Sequence, residues 1–315
     1  MSYIATRDAY GEALKELGAL MPSLVVLDAD LSGSTKTGEF KKDFPERFFN
    51  VGIAEQNMVG VAAGLATTGK IPFVSTFAVF ATGRAFEQIR NSVAHCNLNV
   101  KIAATHAGIT VGEDGASHQA IEDIAIMRVL PNMTVIVPAD AKETKQAIKF
   151  AATHRGPVYI RMGRLAVPQI FDESYSFNIG KANQIMDGED ATIISCGLMT
   201  SKAIEAAFIL KEQGINVRVL NMASIKPIDK EAIISAAEDT RAIVTVEEHS
   251  VIGGLGGAVA EVLTQNMPAH LEIIGINDRF GQSGTPDELL NKYDLTIENI
   301  IDKVKKVIIR KITKN

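Results

Sequence analysis

Short apolar runs alternate with amphipathic runs along most of the chain, and this alternation restricts the possible folds more than any other feature. Residues 24–27 read LVVL and residues 72–75 read PFVS. Short runs of this kind are typical of strands buried on both faces of a parallel sheet. Such runs alternate with helical spacing, which predicts helices over residues 6–20, 78–95 and 119–129 among others, so the pattern predicts βαβ units. We therefore predict an α/β fold of two doubly wound domains, 1–175 and 188–315, with a polar linker over 171–187.

The composition excludes several classes of protein. With 46% hydrophobic and 22% charged residues over 315 positions, a large core can form and disorder is not expected. A net charge of -5 and a pI of about 5.8, without a basic stripe, do not indicate nucleic-acid binding. The sequence contains no apolar run of the ~18 residues that cross a membrane, and its N-terminus lacks a signal region. We expect a cytoplasmic protein without a membrane or nucleic-acid partner.

Two further features are predicted to be structural. Cys96 and Cys196 lie far apart, in no metal-binding spacing, and in or beside apolar runs, so we predict buried, unreactive thiols in a reducing compartment. The stretch 303–314 is basic, and apolar residues at helical spacing run through 297–308, which predicts the solvated face of a terminal helix.

The stretch DADLSGSTKTGE, residues 28–39, matches the spacing of a calcium-binding EF-hand loop. Asp28 and Asp30 take the first and third positions, and Glu39 takes the twelfth. The flanking sequence argues against calcium, because an EF-hand loop follows a helix and this one follows a predicted strand. We interpret it as a polar loop at the carboxyl end of a parallel strand, where α/β folds bind ligands.

Two glycine-rich motifs resemble nucleotide-binding motifs, but the sequence around them argues against that function. Residues 64–70 have the spacing of a phosphate-binding loop, but Ile71 stands where Ser or Thr would hold magnesium, and the motif closes a helix instead of opening one. We predict that Gly69 ends that helix. The run GGLGG at 253–257 lacks the third glycine of a dinucleotide fingerprint, so it predicts a tight strand-to-helix turn.

Three stretches near predicted strand ends carry candidate chemistry. NVGIAEQNMVGVAAGLA places Glu55 at the start of a helix, and STFAVFATGRAFEQIR places Phe77 and Phe80 on one helix face. THAGITVGEDGASHQ places two histidines and an aspartate in one glycine-rich loop; these residues are His106, Asp114 and His118.

Each stretch also has a plain structural interpretation. Glu55 could complement the helix dipole, the two phenylalanines could belong to the core, and a single loop histidine is often a surface group. A loop of ten or more residues inside a compact domain is usually functional or disordered. The glycines and the two histidines favour a functional loop.

These stretches, in this order, resemble the pyrimidine-binding domain of transketolases, which are thiamine-diphosphate enzymes. The resemblance continues through RMGRLAVPQ, and TVEEHSVIGGLGGAVAEVL and DRFGQSGTPDELL resemble the transketolase C-terminal domain. The preceding transketolase domain, with a Gly-Asp-Gly motif that binds magnesium and diphosphate, has no counterpart in this sequence. The resemblance therefore implies the C-terminal subunit of a split transketolase, whose partner subunit carries Mg²⁺.

The resemblance also implies a role for each site residue. Glu55 is the carboxyl group that hydrogen-bonds the pyrimidine ring, and together with His118 and His106 it forms the catalytic set. The implied thiamine-diphosphate contacts are Asp30, Glu55, Phe77 and Phe80. The implied substrate contacts, which include arginines suited to phosphate, are Arg7, Ser34, His106, Asp114, His118 and Arg164.

The sequence departs from the family pattern at two of these places. Gly83 stands where the family often has Tyr, and Ala107 follows His106 where the family commonly has Asp. The first change implies that the wall beside the pyrimidine ring is more open or is filled from elsewhere. The second affects the contacts on the acceptor side, so the sugar phosphates that are used stay open.

Three functions remain open on the sequence. The first is a subunit of a heteromeric transketolase, which moves a two-carbon ketol unit from a ketose phosphate to an aldose phosphate. The second is the β subunit of a 2-oxoacid dehydrogenase E1 component, and the third is a non-catalytic scaffold subunit. For the first, we expect no activity from the chain alone and a twofold heterotetramer containing a second copy. Gly60 and Gly64, one helical turn apart, are candidates for close packing at that interface or in the core.

Overall fold

The computed structural model describes residues 2–313, and it contains two parallel sheets in succession along the chain. The elements of the first half are β1 (Tyr3–Ala5), α1 (Thr6–Leu20), β2 (Leu24–Asp28), α2 (Ser32–Thr35), α3 (Thr37–Asp43), β3 (Phe48–Asn50), α4 (Glu55–Thr67), β4 (Ile71–Ser75), α5 (Phe86–Gln88), β5 (Lys101–Ala104), α6 (Asp123–Arg128), β6 (Thr134–Ile136), α7 (Ala141–Thr153), β7 (Val158–Arg161) and β8 (Ala166–Pro168).

The second half repeats the alternation of strand and helix. Its elements are β9 (Asn183–Met186), β10 (Ala191–Ser195), α8 (Met199–Glu212), β11 (Val217–Asn221), β12 (Ser224–Lys226), α9 (Lys230–Thr240), β13 (Ala242–Ser250), α10 (Leu255–Asn266), β14 (His270–Ile276), α11 (Pro286–Lys292) and α12 (Ile297–Thr313). The predicted fold class, α/β with two doubly wound parallel sheets, is confirmed.

The first sheet has the strand order β12-β6-β7-β5-β4-β2-β3. Six of its strands are parallel, and β12, which comes from the second half of the chain, pairs antiparallel with β6. Every residue of β2 is buried, as expected for a strand covered on both faces. The carboxyl ends of β2, β4 and β5 therefore meet at one edge of the sheet.

The second sheet has the order β14-β13-β10-β11-β9. Its first four strands are parallel, and β9 runs antiparallel to β11 at the other edge. Strand β9 lies inside the stretch that we predicted to be a linker. It is only partly buried, so its sequence lacks the apolar run that marks the other strands. The exact domain boundaries stay a prediction.

Three other predictions were wrong in part. The helix predicted over residues 78–95 is not regular, because two wide π turns, Phe80–Arg84 and Ile89–Ala94, flank the short α5. The helix predicted from residue 119 begins only at Asp123. Cys96 is exposed whereas Cys196 is buried, and burial raises the pKa of the Cys196 thiol.

The terminal helix α12 packs its apolar face on the second sheet, as its spacing predicts. Its basic side is not simply solvated, because Lys303, Lys306 and Arg310 all bind the carboxylate of Glu272. Residue 314, the end of the predicted basic stretch, lies outside the described residues. Within residues 2–313, every helix is too short or too polar to cross a membrane.

Candidate active site

The candidate residues gather at the carboxyl edge of the first sheet. Asp30 and Ser34 follow β2, Glu55 follows β3, and the two phenylalanines follow β4. The glycine-rich segment 106–119, here called the histidine loop, follows β5, and Arg164 follows β7. Since ligands of parallel α/β sheets bind at this edge, the topology alone brings these scattered residues to one place.

Glu55 begins α4 and is 4% exposed. Its Oε1 accepts a hydrogen bond of 3.1 Å from Nη1 of Arg84, whose side chain is 52% exposed. The guanidinium of Arg84 also lies 4.1 Å from the centre of the Phe80 ring. The buried carboxyl group is thus paired with a half-exposed cation that the sequence did not predict as a site residue.

The two phenylalanines lie on one face, as predicted. The ring centroids of Phe77 and Phe80 are 5.8 Å apart with 14° between the ring planes. His106 stacks on Phe77 at 3.8 Å, and His118 meets the Phe80 ring edge-on at 5.3 Å. The aromatic pair therefore links Arg84 and Glu55 to both histidines of the loop.

His106 is a neutral imidazole whose tautomer is fixed by its neighbours. Its Nε2 lies 3.1 Å from Nη1 of Arg7, which can only donate, so Nε2 is the acceptor. The proton is then on Nδ1, which donates to Oγ1 of Thr105 at 2.8 Å. Burial, with the nearby charges of Arg7, Arg164 and His118, lowers the pKa of His106 to about 3. The ring keeps one N–H donor across the physiological pH range.

Two arginines make the surroundings of His106 positive. Arg7 donates to the carbonyl oxygen of Ser34 at 3.2 Å, while its buried Nε finds no hydrogen-bond partner in the described part of the chain. Arg164 donates to the carbonyl oxygen of Val111 and lies 3.9 Å from Oδ2 of Asp114. A buried donor without a partner on a cation is a position that an anion such as phosphate would fill.

Asp114 and Ser34 are placed less centrally than the sequence predicts. Asp114 lies at the exposed rim of the histidine loop, beside Arg164. Ser34 contributes its backbone carbonyl, and not its hydroxyl, to the contact with Arg7. Their predicted substrate contacts stay predictions.

The calcium-like loop has a structural explanation. Asp28 is buried and accepts hydrogen bonds from the Leu31 amide (2.6 Å) and from the hydroxyl groups of Thr35 (2.7 Å) and Thr37 (2.8 Å). Burial raises its pKa despite these bonds. Asp30 turns away with a φ of 66° and binds Asn50 at 2.8 Å. Residues 2–313 contain no group of three or more His, Cys, Asp or Glu side chains arranged around a common metal position.

The fold and the site define a two-domain α/β protein that collects a buried carboxyl group, an aromatic pair and two histidines at one sheet edge. The family described as "Transketolase, pyrimidine binding domain" matches residues 2–169, and "Transketolase, C-terminal domain" matches residues 180–300. The chain belongs to the transketolase family. The resemblance drawn from the sequence is confirmed.

Individual relatives agree with this assignment. A protein of Methanocaldococcus jannaschii, provisionally named a transketolase C-terminal section, is 58% identical over 305 residues, covering 96% of each chain. The 6-deoxy-6-sulfo-D-fructose transketolase subunit of Clostridium sp. strain MSTE9 is 43% identical, covering 97% of this chain and 95% of that protein. A solved structure described as a split gene transketolase, an inactive β4 tetramer, aligns with a TM-score of 0.91 at 60% identity, covering 97% and 98%.

Proposed function

We propose that this chain is the pyrimidine-side subunit of a heteromeric transketolase, which transfers a two-carbon ketol unit from a ketose phosphate to an aldose phosphate. One observation carries the proposal. A buried carboxyl group, Glu55, and an arginine-flanked histidine, His106, lie at opposite ends of one aromatic surface formed by Phe77 and Phe80. The Clostridium relative, similar along nearly its whole length, is named a transketolase subunit, which supports the same class of reaction.

The residues present fit the pyrimidine end of thiamine diphosphate. Phe77 and Phe80 offer stacked rings, and a Cβ built on Gly83 would meet no heavy atom of the described chain within 4 Å, so the pocket is open there. When bound, the cofactor supplies the carbon nucleophile for cleavage of the ketose. Glu55 would hold a proton at the pyrimidine ring nitrogen, and Arg84 would give up its present partner. Asp30 would lie at the junction with the partner subunit.

The opposite end of the pocket suits a sugar phosphate. Arg7 and Arg164 would bind the phosphate group, the first through its unpartnered Nε, with Ser34 beside them. His106 would stay neutral, with its proton on Nδ1, and would contact the substrate through a ring nitrogen where the substrate replaces Arg7 or Thr105. His118 would move protons at the donor hydroxyl group, and Asp114 would read hydroxyl stereochemistry.

A partner subunit would complete the site. It would bring the diphosphate and Mg²⁺ contacts, and we propose a heterotetramer with two copies of each chain. The face of α4 that follows Glu55 supports an interface there. A Cβ on Gly60 or Gly64 would meet no described heavy atom within 4 Å, so these glycines are not core positions of this chain, and Ile53 and Val61 are exposed beside them.

The experiment reconstitutes the chain with its N-terminal partner, thiamine diphosphate and Mg²⁺, and offers xylulose 5-phosphate or pyruvate as the donor. Glu55→Ala is expected to lower ketol transfer by ~10²- to 10⁴-fold, the usual contribution of proton transfer. Glu205→Gln, on an exposed face of α8, is the matched control and is expected to keep wild-type activity. Turnover of pyruvate instead would favour the dehydrogenase subunit, and unchanged transfer in Glu55→Ala would favour the scaffold. Turnover by the chain alone would contradict the split site.

A further inference from the structure

The second domain reaches the histidine loop through a buried glutamate. Glu248 lies on β13, is 4% exposed, and its Oε1 accepts a hydrogen bond of 2.7 Å from the backbone N–H of Thr110. Thr110 is the middle residue of a tight turn, Ile109–Val111, between the two histidines. A carboxyl group from one domain thus fixes the backbone of the loop that carries the site residues of the other.

A second link closes the loop on itself and on the second domain. Gln119 is 3% exposed, and its amide Nε2 donates to the carbonyl oxygens of Ile109 (3.1 Å), Gly112 (3.3 Å) and Gln282 (2.9 Å). Gln282 belongs to the segment between β14 and α11. The side chain of Gln119, which directly follows His118, therefore connects two points of the histidine loop to each other and to the second domain.

The fit between the loop and the second domain leaves no spare room. A Cβ on Gly108 would lie 2.2 Å from Cδ of Glu248, and a Cβ on Gly115 would lie 2.6 Å from Oγ of Ser283. Both glycines also have positive φ angles, 81° and 74°. Glycine is required there by the backbone conformation and by the close approach of the second domain.

The strand that carries Glu248 is itself anchored. Arg161 donates to the carbonyl oxygens of Glu248 (2.9 Å) and Ala120 (3.3 Å), and the Ser250 amide donates to Ile121 at 2.7 Å. Since β13 is bound at the Glu248 carbonyl and again at Ser250, the Glu248 carboxyl group presents a fixed acceptor. That rigidity is what a support for a flexible loop requires.

We infer that Glu248 is a positioning residue, through which the second domain holds His106 and His118 in their working geometry. Glu248 bonds the Thr110 amide rather than either histidine, so it acts on the reaction through the loop. The inference rests on the proposed ketol transfer for its kinetic consequence. The contact itself, between a carboxyl group and a loop amide, is independent of that reaction.

Protonation of Glu248 is expected to modulate this support. Burial raises its pKa to about 7, against the opposing charge of Arg161 and the hydrogen bond from Thr110, while Asp123 adds to the rise. Opening of the loop would return the Glu248 carboxyl group to water and to its ordinary pKa, so the closed loop binds more protons than the open one. The loop is therefore expected to be held less firmly at pH 8 than at pH 6.

The test uses the reconstituted complex and two readouts, hydrogen exchange of residues 106–119 and steady-state kinetics. Loss of a hydrogen bond to a charged group predicts ~10- to 100-fold faster exchange across the loop in Glu248→Ala. The KM for the sugar phosphate is expected to rise, while the concentration of thiamine diphosphate for half-activity stays at the wild-type value. Glu248→Gln, which keeps an acceptor oxygen, is expected to restore most of the protection but not its change between pH 6 and pH 8.

Several outcomes would overturn the inference. Unchanged loop exchange and unchanged kinetics in a folded Glu248→Ala variant would do so, as would equal losses in cofactor affinity and sugar-phosphate KM. If Glu248→Ala does not fold, Gln119→Leu decides, because faster loop exchange is expected there and unchanged exchange contradicts the inference. Absence of ketol transfer in the wild-type complex would refute the proposed function, while the exchange measurement still tests the support.

Discussion

The two sheets have the same kind of carboxyl edge, yet they use its polar groups differently. At the first sheet, Arg7 keeps a buried donor without a described partner, and the side chains of Arg84 and Arg164 are partly exposed. At the second sheet, the polar residues that end the strands bind one another or the backbone. The topology therefore offers two edges at which a ligand could bind. The two edges differ in whether their polar side chains already have hydrogen-bond partners within the protein.

At the carboxyl edge of the second sheet, polar side chains are engaged in hydrogen bonds within the protein. Glu247 accepts from the amides of Leu255 (2.7 Å) and Gly256 (2.8 Å) at the start of α10. The neighbouring His249 donates from Nδ1 to the Ser250 carbonyl oxygen (2.8 Å) and accepts from the Ala125 amide (3.3 Å). These bonds hold helices to the sheet, and they leave little capacity for a ligand.

The largest effect should come from exchanging one histidine at each edge. His118→Asn is expected to lower kcat by ~100-fold or more, because a proton shuttle is lost, with little change in the unfolding temperature. His249→Asn is expected to lower the free energy of unfolding by ~1–3 kcal/mol, because two buried bonds are disturbed. Kinetics and thermal unfolding of both variants would measure this. A stable, fully active His118→Asn variant would contradict the distinction between a functional histidine at the first sheet and a structural one at the second.

Arg7→Met should give the next largest effect. Loss of a cation from the phosphate end is expected to raise the KM of a phosphorylated donor by ~10- to 100-fold, as for a charged hydrogen bond. The pKa of His106 is expected to rise, because the positive charge of Arg7 is one of the causes that lower it. NMR titration of the His106 ring would follow that shift. An equal loss with an unphosphorylated donor would contradict a phosphate contact.

A smaller effect concerns stability and pH. Burial raises the pKa of Glu143 from 4.5 to about 7, and Glu248 behaves alike. Between pH 4.5 and pH 7, each of these carboxyl groups binds more protons in the folded state than in the unfolded state. Its contribution to the free energy of unfolding is therefore present below about pH 4.5 and is lost as the pH rises to about 7. Glu143→Gln is expected to flatten this slope, seen as a change of roughly a few degrees in the unfolding temperature. An unchanged slope would show that Glu143 titrates normally.

The smallest effect should come from Arg84→Met. Because half of the Arg84 side chain is exposed, water screens both its ion pair with the buried Glu55 and its cation–π contact, and each contributes no more than about 1 kcal/mol. Because Arg84 now occupies Glu55 and the Phe80 face, its removal is expected to lower the thiamine diphosphate concentration for half-activity by no more than ~5-fold. The same titration at high salt should narrow the difference between wild type and variant. Weaker cofactor binding would instead assign Arg84 a supporting role.

Much of this arrangement could be predicted from local sequence. The helix Thr6–Leu20 was predicted with the bounds that the structure gives, since its spacing and its start are both clear in the sequence. The buried strand Leu24–Asp28 was predicted over residues 24–27, because both of its faces are apolar there. Strand β9 was not predicted because it is only partly buried. Strand β12 was not predicted because three residues are too few to show a periodic pattern.

Some residues of the candidate site could likewise be predicted from the sequence, and others could not. Glu55, Phe77 and Phe80 lie next to strands, so their neighbourhood follows from topology. Arg84 was missed, although its position four residues after Phe80 was a usable signal for a contact along one helix face. Glu248 could not be predicted, because its partner Thr110 lies 138 residues away and lends only a backbone amide.

The pairing of β12 with β6 has a consequence for how the molecule can be divided. Strand β12 covers the outer edge of the first sheet, although it belongs to the second half of the chain. A cut within residues 171–180 would therefore leave the two pieces joined through this strand pair. A fragment ending at residue 175 would instead expose β6 as an open edge, and such edges recruit strands from other molecules. In the intact chain, β12 covers this edge, and β6 is not available for pairing with a second molecule.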